Sequence, residues 1–596
     1  VKGVGFMRTF FLSLKYSFRL LYKSSKLLFV VYLLLQIACS ITPIISTFLL
    51  KDLLDSLVSS EPVMRYVWLY IGSIGVLLVF QSVQTLCYNS MQKKAEHQYT
   101  CDLIEKMNTM PLSFLDTSEG KNLIDEVRYL KAVVPNLPNY IIQTVAYSIS
   151  FIIAFSELLS FHVIFSLLFI ALTVPGLLSQ LHFSKRADVL RRKQAPDVRK
   201  FSYYRWMLTD MWPAKDVRMY DLTKPLLQRY DDEKAQYLSA NKKLDKRKMR
   251  SAVFTELIMR SGEIVFSFFV IYKALSGDIS VGDVTLYIGF AVTAVQSFQN
   301  LIGTIIYGVS RTTANMKYVL EFYSFETRQM NAGTRELLSF NTLEFNDVFF
   351  KYPNSDQYVL KGLSFTLKKG DKLSIVGING SGKSTIIKLM LGLYEIESGQ
   401  ILINGYPLSD YDIKDVRKVF SVLFQSFVQY PLTLRENVAL SELEKIHNDK
   451  EIETALAQSG IYEELNSTYA GGLDSYMTRQ FDDKGIELSK GQWQKIALSR
   501  TYFKNAPIVI FDEPSAALDA EAEDRIFKNF ESVSDGKTSI MISHRISSAR
   551  MSDKVIVLDN GRIVEQGSHD DLVNLDGLYA KLYNLQREKY TAKGTE

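Results

Sequence analysis

Cysteine is scarce. Cys39, Cys87 and Cys101 are the only three in 596 residues, and none sits at a spacing used for metal ligation or redox exchange. The first two lie in apolar runs, where a small buried residue is the plain reading. Charge of one sign is in small excess only. The formal net charge of +5 is too mild to call for nucleic acid, and a membrane protein with basic cytosolic loops gives the same balance. A cleavable signal peptide is not expected either: the first apolar run, Leu27 to Leu50, is too long for the apolar core of one and lacks a clear small-residue cleavage site. It reads as a membrane span.

Hydrophobic residues make up 47% of the chain and are unevenly spread. Up to about Ser310 they form long runs; beyond about Phe340 the pattern is that of a soluble α/β domain. Six runs reach the roughly 20 residues a bilayer crossing needs: Leu27–Leu50, Tyr66–Tyr88, Asn139–Ser160, His162–Phe183, Ala252–Leu275 and Val284–Gly308. Lys2, Arg8, Lys15, Arg19, Lys23 and Lys26 precede the first, with no acidic residue among them, which places that end in the cytosol. The loop after the first span is short and acid-leaning (Asp52, Asp55, Glu61), as an external loop can be. Under this topology the two long charged stretches, Met91 to Pro138 and Ser184 to Ser251, are cytosolic. At about 1.5 Å per residue such helical excursions project tens of ångströms and turn back, near Pro111–Gly120 and Met211–Tyr220. In the fifth span Glu256, Arg260 and Glu263 share one helical face. They read equally as a polar stripe in a substrate cavity or as a structural ion-pair ladder.

The second half carries the chemistry. The apolar strands Leu343–Phe350 and Leu373–Val376 come first. The second runs directly into Gly377-Ile-Asn379-Gly380-Ser381-Gly382-Lys383-Ser384-Thr385, and an apolar helical pattern follows from Ile386 to Leu393. Strand, glycine-rich loop and helix in that order are the context of a phosphate-binding loop. Backbone N–H groups curl round phosphate there, and the helix N-terminus adds positive potential. Lys383 is placed to reach the β- and γ-phosphates, and Ser384 to offer a hydroxyl to Mg²⁺. Further on, Ile508-Val-Ile-Phe511-Asp512-Glu513 is an apolar strand that stops on two carboxylates. Asp512 fits the ordering of Mg²⁺, and Glu513 the activation of an attacking water. His544 follows another apolar strand, Ser539–Ile542, and is placed to contact a γ-phosphate.

In these residues the chain resembles the ABC transporter superfamily, exporter type, over nearly its whole length. Leu488-Ser489-Lys490-Gly491-Gln492 is similar to the LSGGQ signature of that family, and it lies between the phosphate loop and the Asp512–Glu513 strand as it should. The resemblance implies an all-α transmembrane domain of six helices (1–325), a linker (326–340) and an α/β P-loop ATPase domain (341–596). It implies Tyr352 as the aromatic that stacks on adenine, Gln425 as a lid glutamine that also reaches Mg²⁺, Ala517-Leu518-Asp519 as the D-loop, and His544 as the switch histidine. It also implies a head-to-tail dimer in which the Ser489–Gln492 signature of one subunit closes on the ATP of the other, and coupling helices at the two cytosolic turns. Lys490 departs from the family, which has glycine there; if the position needs φ > 0, lysine is strained.

The order of the two domains in one half-length chain looks like an exporter in the cytoplasmic membrane of a bacterium. Phe424-Gln425-Ser-Phe427-Val428-Gln-Tyr430 and Gly485-Ile-Glu-Leu-Ser-Lys-Gly-Gln-Trp493-Gln-Lys495 resemble the lantibiotic and related peptide exporters. The expected partners are a second copy of the chain (or a related chain in a heterodimer), membrane lipid, and a modified peptide as cargo. A lipid or lipid-linked glycan flippase, or a drug exporter, uses the same engine. A nucleotide-gated channel or regulator is the third reading, disfavoured because Glu513 and His544 are both present. The 26 residues before Leu27 are too few for a leader-trimming cysteine peptidase.

Overall fold

The computed structural model describes residues 2–59, 62–325, 333–468, 471–513, 530, 534, 536–543 and 546–591. The chain divides into two compact units, Val1–Lys106 with Leu123–Phe325, and Met107–Asn122 with Glu326–Glu596.

The first unit is helical. In chain order its helices, with the two short elements of the first excursion, are α1 (Lys2–Ser24), α2 (Lys26–Ser59), α3 (Val63–Asn108), α4 (Leu112–Leu115), α5 (Ser118–Tyr129), α6 (Asn136–Phe161), α7 (Val163–Ala171), α8 (Val174–Thr209), α9 (Ala214–Met219), α10 (Thr223–Leu275), α11 (Val281–Gly303) and, after a π-turn at Thr304–Ser310, α12 (Arg311–Ser324). Six long columns result: α2, α3, α6, α7 with α8, α10, and α11 with α12. Among the described residues, four helical stretches are long and apolar enough to cross a membrane: Lys26–Ser59, Val63–Asn108, Asn136–Phe161 and Val281–Ser324. The other two expected spans differ for physical reasons. The fourth is interrupted at Leu172–Thr173, between α7 and α8, where Pro175 stands in the first turn of the second helix and removes an N–H the ladder needs. The fifth is the last part of α10, and Glu256, Arg260 and Glu263 interrupt its apolar run. Both charged excursions are helical, and their turns carry the short helices α4 and α9.

The packing follows from which faces are apolar. α11 packs on α6 and α2, and α8 packs on α10. Phe290, Ala294, Ala154, Leu158, Phe266 and Val270 form one buried cluster. The outer face of α3 leaves Trp68, Leu69, Val79 and Leu86 exposed, as a lipid-facing surface must.

The second unit is built on two sheets. The strands are β1 (Thr342–Phe350), β2 (Leu360–Lys368), β3 (Lys372–Gly377), β4 (Ser398–Ile403), β5 (Tyr406–Pro407), β6 (Phe420–Leu423), β7 (Ile508–Asp512), β8 (Thr538–Ile542), β9 (Lys554–Asp559) and β10 (Arg562–Gly567). An antiparallel sheet runs β2-β1-β4-β5, and a six-stranded sheet runs β10-β9-β3-β8-β7-β6. The inner pairs of the larger sheet are parallel; only β10 lies antiparallel to its neighbour. β7 and β8 are buried at every residue, which is why they read as unbroken apolar runs rather than alternating ones.

Helix α13 (Lys383–Met390) follows β3 and is buried between the sheets with Phe345, Ile375, Ile387 and Ile510. After the short α14 (Ile413–Lys418) come α15 (Leu434–Ala439), α16 (Asp449–Gln458), α17 (Tyr462–Thr468) and α18 (Lys490–Lys504). They bury a second core around Leu456, Trp493, Ile496 and Phe511.

Candidate functional site

The site begins where β3 ends. Gly377 is the last strand residue, and a Cβ there would meet the Leu558 carbonyl oxygen at 2.2 Å. Gly382 has φ 107° and caps α13; a Cβ would come within 2.8 Å of Leu360. Only glycine lets the chain turn this tightly against neighbouring strands. Between them Asn379 and Gly380 are exposed, while Ser381 is buried and its Oγ finds no hydrogen-bond partner among the described residues. A buried hydroxyl without a partner is costly, and a phosphate oxygen bound in the loop would satisfy it. The loop therefore fits the phosphates of a nucleoside triphosphate.

Lys383 is 5% exposed, and its Nζ donates to the carbonyl oxygens of Gly377 and Ile378, each at 3.0 Å. Burial pushes its ammonium pKa down, against the pull of Glu513 and Asp512. Ser384 Oγ donates to Asp512 Oδ1 at 3.1 Å, so the first turn of α13 is tied to the end of β7. Burial is also the main reason that the Asp512 carboxyl is pushed up to about 6; Glu513 adds to this and the Ser384 hydrogen bond opposes it. Glu513 has left the strand at φ 52°, a left-handed turn that is uncommon for a glutamate. There Gln425 Nε2 donates to its Oε2 at 2.5 Å. Ser384, Gln425 and the adjacent pair Asp512 and Glu513, from three separate stretches of sequence, thus come together. The donor set is hard oxygen, which fits Mg²⁺.

Tyr352 lies beside the loop. Its hydroxyl is 3.0 Å from Thr385 Oγ1 and accepts from Lys388 Nζ at 3.2 Å. Its ring meets those of Phe350 and Tyr394 with centroids 5.0 and 5.4 Å away. Tyr394, which sequence reasoning passed over, donates its hydroxyl to Asp116, in the turn after α4. Burial first, and then the Asp116 bond, raise the tyrosine's pKa.

The signature opens α18. Ser489 is its N-cap and Gln492 closes a reciprocal capping box; the Gln492 amide also donates to Glu464 at 3.1 Å. Lys490 is the first helical residue, with Gly491 after it, and Lys490 is not among the non-glycine residues with positive φ. The strain considered for lysine at this position is therefore absent. Its side chain is exposed, with no partner among the described residues. Arg500, also missed, ties α18 to the segment after Gln425. It donates to Asn437 O at 2.8 Å, Asn437 Oδ1 at 2.7 Å and Val428 O at 3.1 Å, and stacks over Tyr430. His544 and Asp519 lie outside the described residues.

In the helical unit, Arg260 bridges Glu256 at 3.1 Å and Glu263 at 2.6 Å. Glu256 borders a cavity of about 240 Å³ with Lys248, Gln180 and Gln299. None of the three charged residues lines the larger, polar cavity among α2, α3, α6 and α11.

A phosphate loop tied to a strand-end carboxylate pair, in a chain with membrane-crossing helices, defines a membrane-embedded ATPase of the P-loop class. Residues 360–516 match the family described as ABC transporter, and residues 29–301 match the ABC transporter transmembrane region. The subtilin transport ATP-binding protein of Bacillus subtilis is 31% identical over 582 residues, covering 95% of this chain and 93% of its own length. The nisin transport ATP-binding protein of Lactococcus lactis subsp. lactis is 27% identical over 578 residues, 96% of each chain. An ATP-dependent lipid A-core flippase of Xylella fastidiosa (strain 9a5c) is 32% identical over 382 residues, 63% of each chain. The solved structure of a bacterial Atm1-family ABC exporter with ATP bound matches the fold at a TM-score of 0.76 and 21% identity, covering 94% of this chain and 98% of that one. The chain belongs to the ABC transporter family, as an exporter-type half-transporter with membrane and ATPase domains fused. It hydrolyses ATP, and that hydrolysis is coupled to transport.

Proposed function

We propose that two copies of this chain form an exporter in the bacterial cytoplasmic membrane, and that the cargo is a modified, lantibiotic-like peptide. The observation that carries the cargo reading is likeness along essentially the full length to the subtilin and nisin transport proteins. The flippase likeness spans less than two thirds of the chain; it favours lipid export as the second reading. Two features support the dimer. Ser489 and Lys490 stand exposed at the start of α18, available to nucleotide held by another copy. Met211 and Trp212, at the turn before α9, are 91% and 81% exposed, an apolar tip that calls for a cover.

In this reading Tyr352 stacks on the adenine, and the loop from Gly377 to Thr385 holds the phosphates with Lys383. Mg²⁺ would be held by Ser384, Asp512 and Gln425, and would supply neutralisation of the phosphate charge. Glu513, fixed by Gln425, takes the proton of the attacking water. His544, the D-loop Asp519 and the partner copy's signature complete the enclosure. ATP-dependent uptake into inverted vesicles tests the cargo. Lantibiotic precursors that enter such vesicles support peptide export; precursors that stay out while lipids are flipped overturn it.

A further inference from the structure

The helical unit holds a cavity of about 590 Å³ between α2, α3, α6 and α11, within the roughly 300–1,000 Å³ typical of ligand sites. Its lining is unusual for membrane-spanning helices. Of eighteen residues, seven are carboxamides (Gln36, Gln81, Gln84, Asn139, Gln143, Gln296, Asn300), eight carry a hydroxyl, and none is charged. The polar positions recur with helical spacing on every wall. Gln81, Gln84, Thr85 and Tyr88 mark one face of α3, and Asn139, Gln143, Tyr147 and Ser150 one face of α6. Polar side chains at membrane depth are costly and mark function when they face a cavity.

Part of this lining is a cross-linked wall. Tyr32 Oη donates to Asn139 Oδ1 and lies 3.2 Å from Gln36 Oε1, which accepts from Gln84 Nε2. Tyr88 Oη donates to Asn136 at 2.6 Å. Those bonds fix α2, α3 and α6 against one another. The remainder is unspent. The side-chain amides of Gln81, Gln143, Gln296 and Asn300 line the same space with no partner among the described residues. Each offers two N–H donors and a carbonyl acceptor side by side, the complement of a peptide group's own C=O and N–H.

We infer that this cavity binds the cargo through the uncharged main-chain amides of a peptide segment, not through its charged side chains. The inference rests on the peptide reading above and names the group recognised. A phosphate-bearing lipid head group would need a cation when taken out of water, and the lining has none. A cationic peptide finds no carboxylate here either. Glu256 and Glu263 lie elsewhere and are already paired with Arg260. Hydrogen bonding to main-chain amides is independent of side-chain sequence, so cargoes of varied composition fit.

The test uses the full chain in proteoliposomes and measures the peptide concentration that half-maximally stimulates ATPase activity. The probes are an uncharged 20-residue peptide, the same peptide with alternate main-chain nitrogens methylated, a version carrying four lysines, and a lipid-linked glycan. We expect methylation to raise the half-maximal concentration at least tenfold, and the lysines to change it less than threefold. In Gln143→Leu and Gln296→Leu the unmethylated peptide should weaken until its advantage over the methylated one is lost. The wild-type comparison alone decides if those variants fail to fold. Equal potency of methylated and unmethylated peptides, or a tenfold gain from lysine, overturns the cavity assignment and leaves peptide export standing. Stimulation by the glycan and by no peptide overturns both.

Discussion

Burial pushes the Asp512 carboxyl up to about 6, well above its ordinary value of 3.8. The ionised form is the one that accepts from Ser384 and that would hold Mg²⁺, so activity should be lost as pH falls through that value. We expect the acid limb of kcat/KM to bend near pH 6 and then fall about tenfold per pH unit; a limb near pH 4 would contradict the burial argument. The sign for stability is opposite. Between 3.8 and about 6 the folded chain binds more protons at Asp512 than the unfolded one, so this group's contribution declines as pH rises through that window. Lys490 gives a second test. As the first residue of α18, with no positive φ, it gains nothing from glycine. Lys490→Gly should leave the stability unchanged or lower it by up to about 1 kcal/mol, read as an unchanged or lower melting temperature; a rise would mean that the backbone there is strained after all.

These residues were legible from sequence because backbone chemistry restricts them. A phosphate loop requires glycines at set positions, and a buried strand that stops on two acids is rare without a purpose. Tyr394, Asp116 and Arg500 were not legible, since a lone tyrosine, aspartate or arginine gives no periodic or spaced signal.

The helices and loops show the same division. The long apolar runs and the two excursions are read from composition, and so are the turns near Pro111 and Met211, where α4 and α9 form. The break at Leu172–Thr173 was hidden, because an apolar run stays apolar through a kink. The cavity wall was hidden for another reason: its carboxamides are spread over four helices, and each stripe alone looks like scattered polar residues. The charged triad in α10 is plain in sequence; Arg260 bridges Glu256 and Glu263 within the helix, and Glu256 also borders the smaller cavity. Arg500→Lys should show what holds α18 to the segment beyond Gln425. Lysine keeps the charge but loses the fork that reaches Asn437 and Val428. The expected cost is about 2 kcal/mol, read as a lower melting temperature; an unchanged value would mean that packing alone holds the junction. Tyr394→Phe removes the hydroxyl that reaches Asp116 and keeps the ring against Tyr352. Amide exchange at residues 112–120 should then quicken while ATP affinity holds. Unchanged exchange would show that the bond is incidental.

At the scale of the whole molecule, the fold joins a membrane-embedded helical unit to an ATPase unit in one chain, and the ATPase unit takes in residues 107–122 from the first excursion. Ser384, Gln425, Asp512 and Glu513 meet at the loop, while the signature residues Ser489 and Lys490 stand exposed at the start of α18. A machine of this kind turns over only when nucleotide is enclosed and a water is activated, and the account assigns that second task to Glu513. The most direct measurement is therefore steady-state ATP hydrolysis by the chain reconstituted in lipid, wild type against Glu513→Gln, with ATP binding followed in parallel. The account predicts that binding persists while turnover falls at least about a hundredfold, the scale of a lost general base. Turnover in Glu513→Gln within a few-fold of wild type would contradict it.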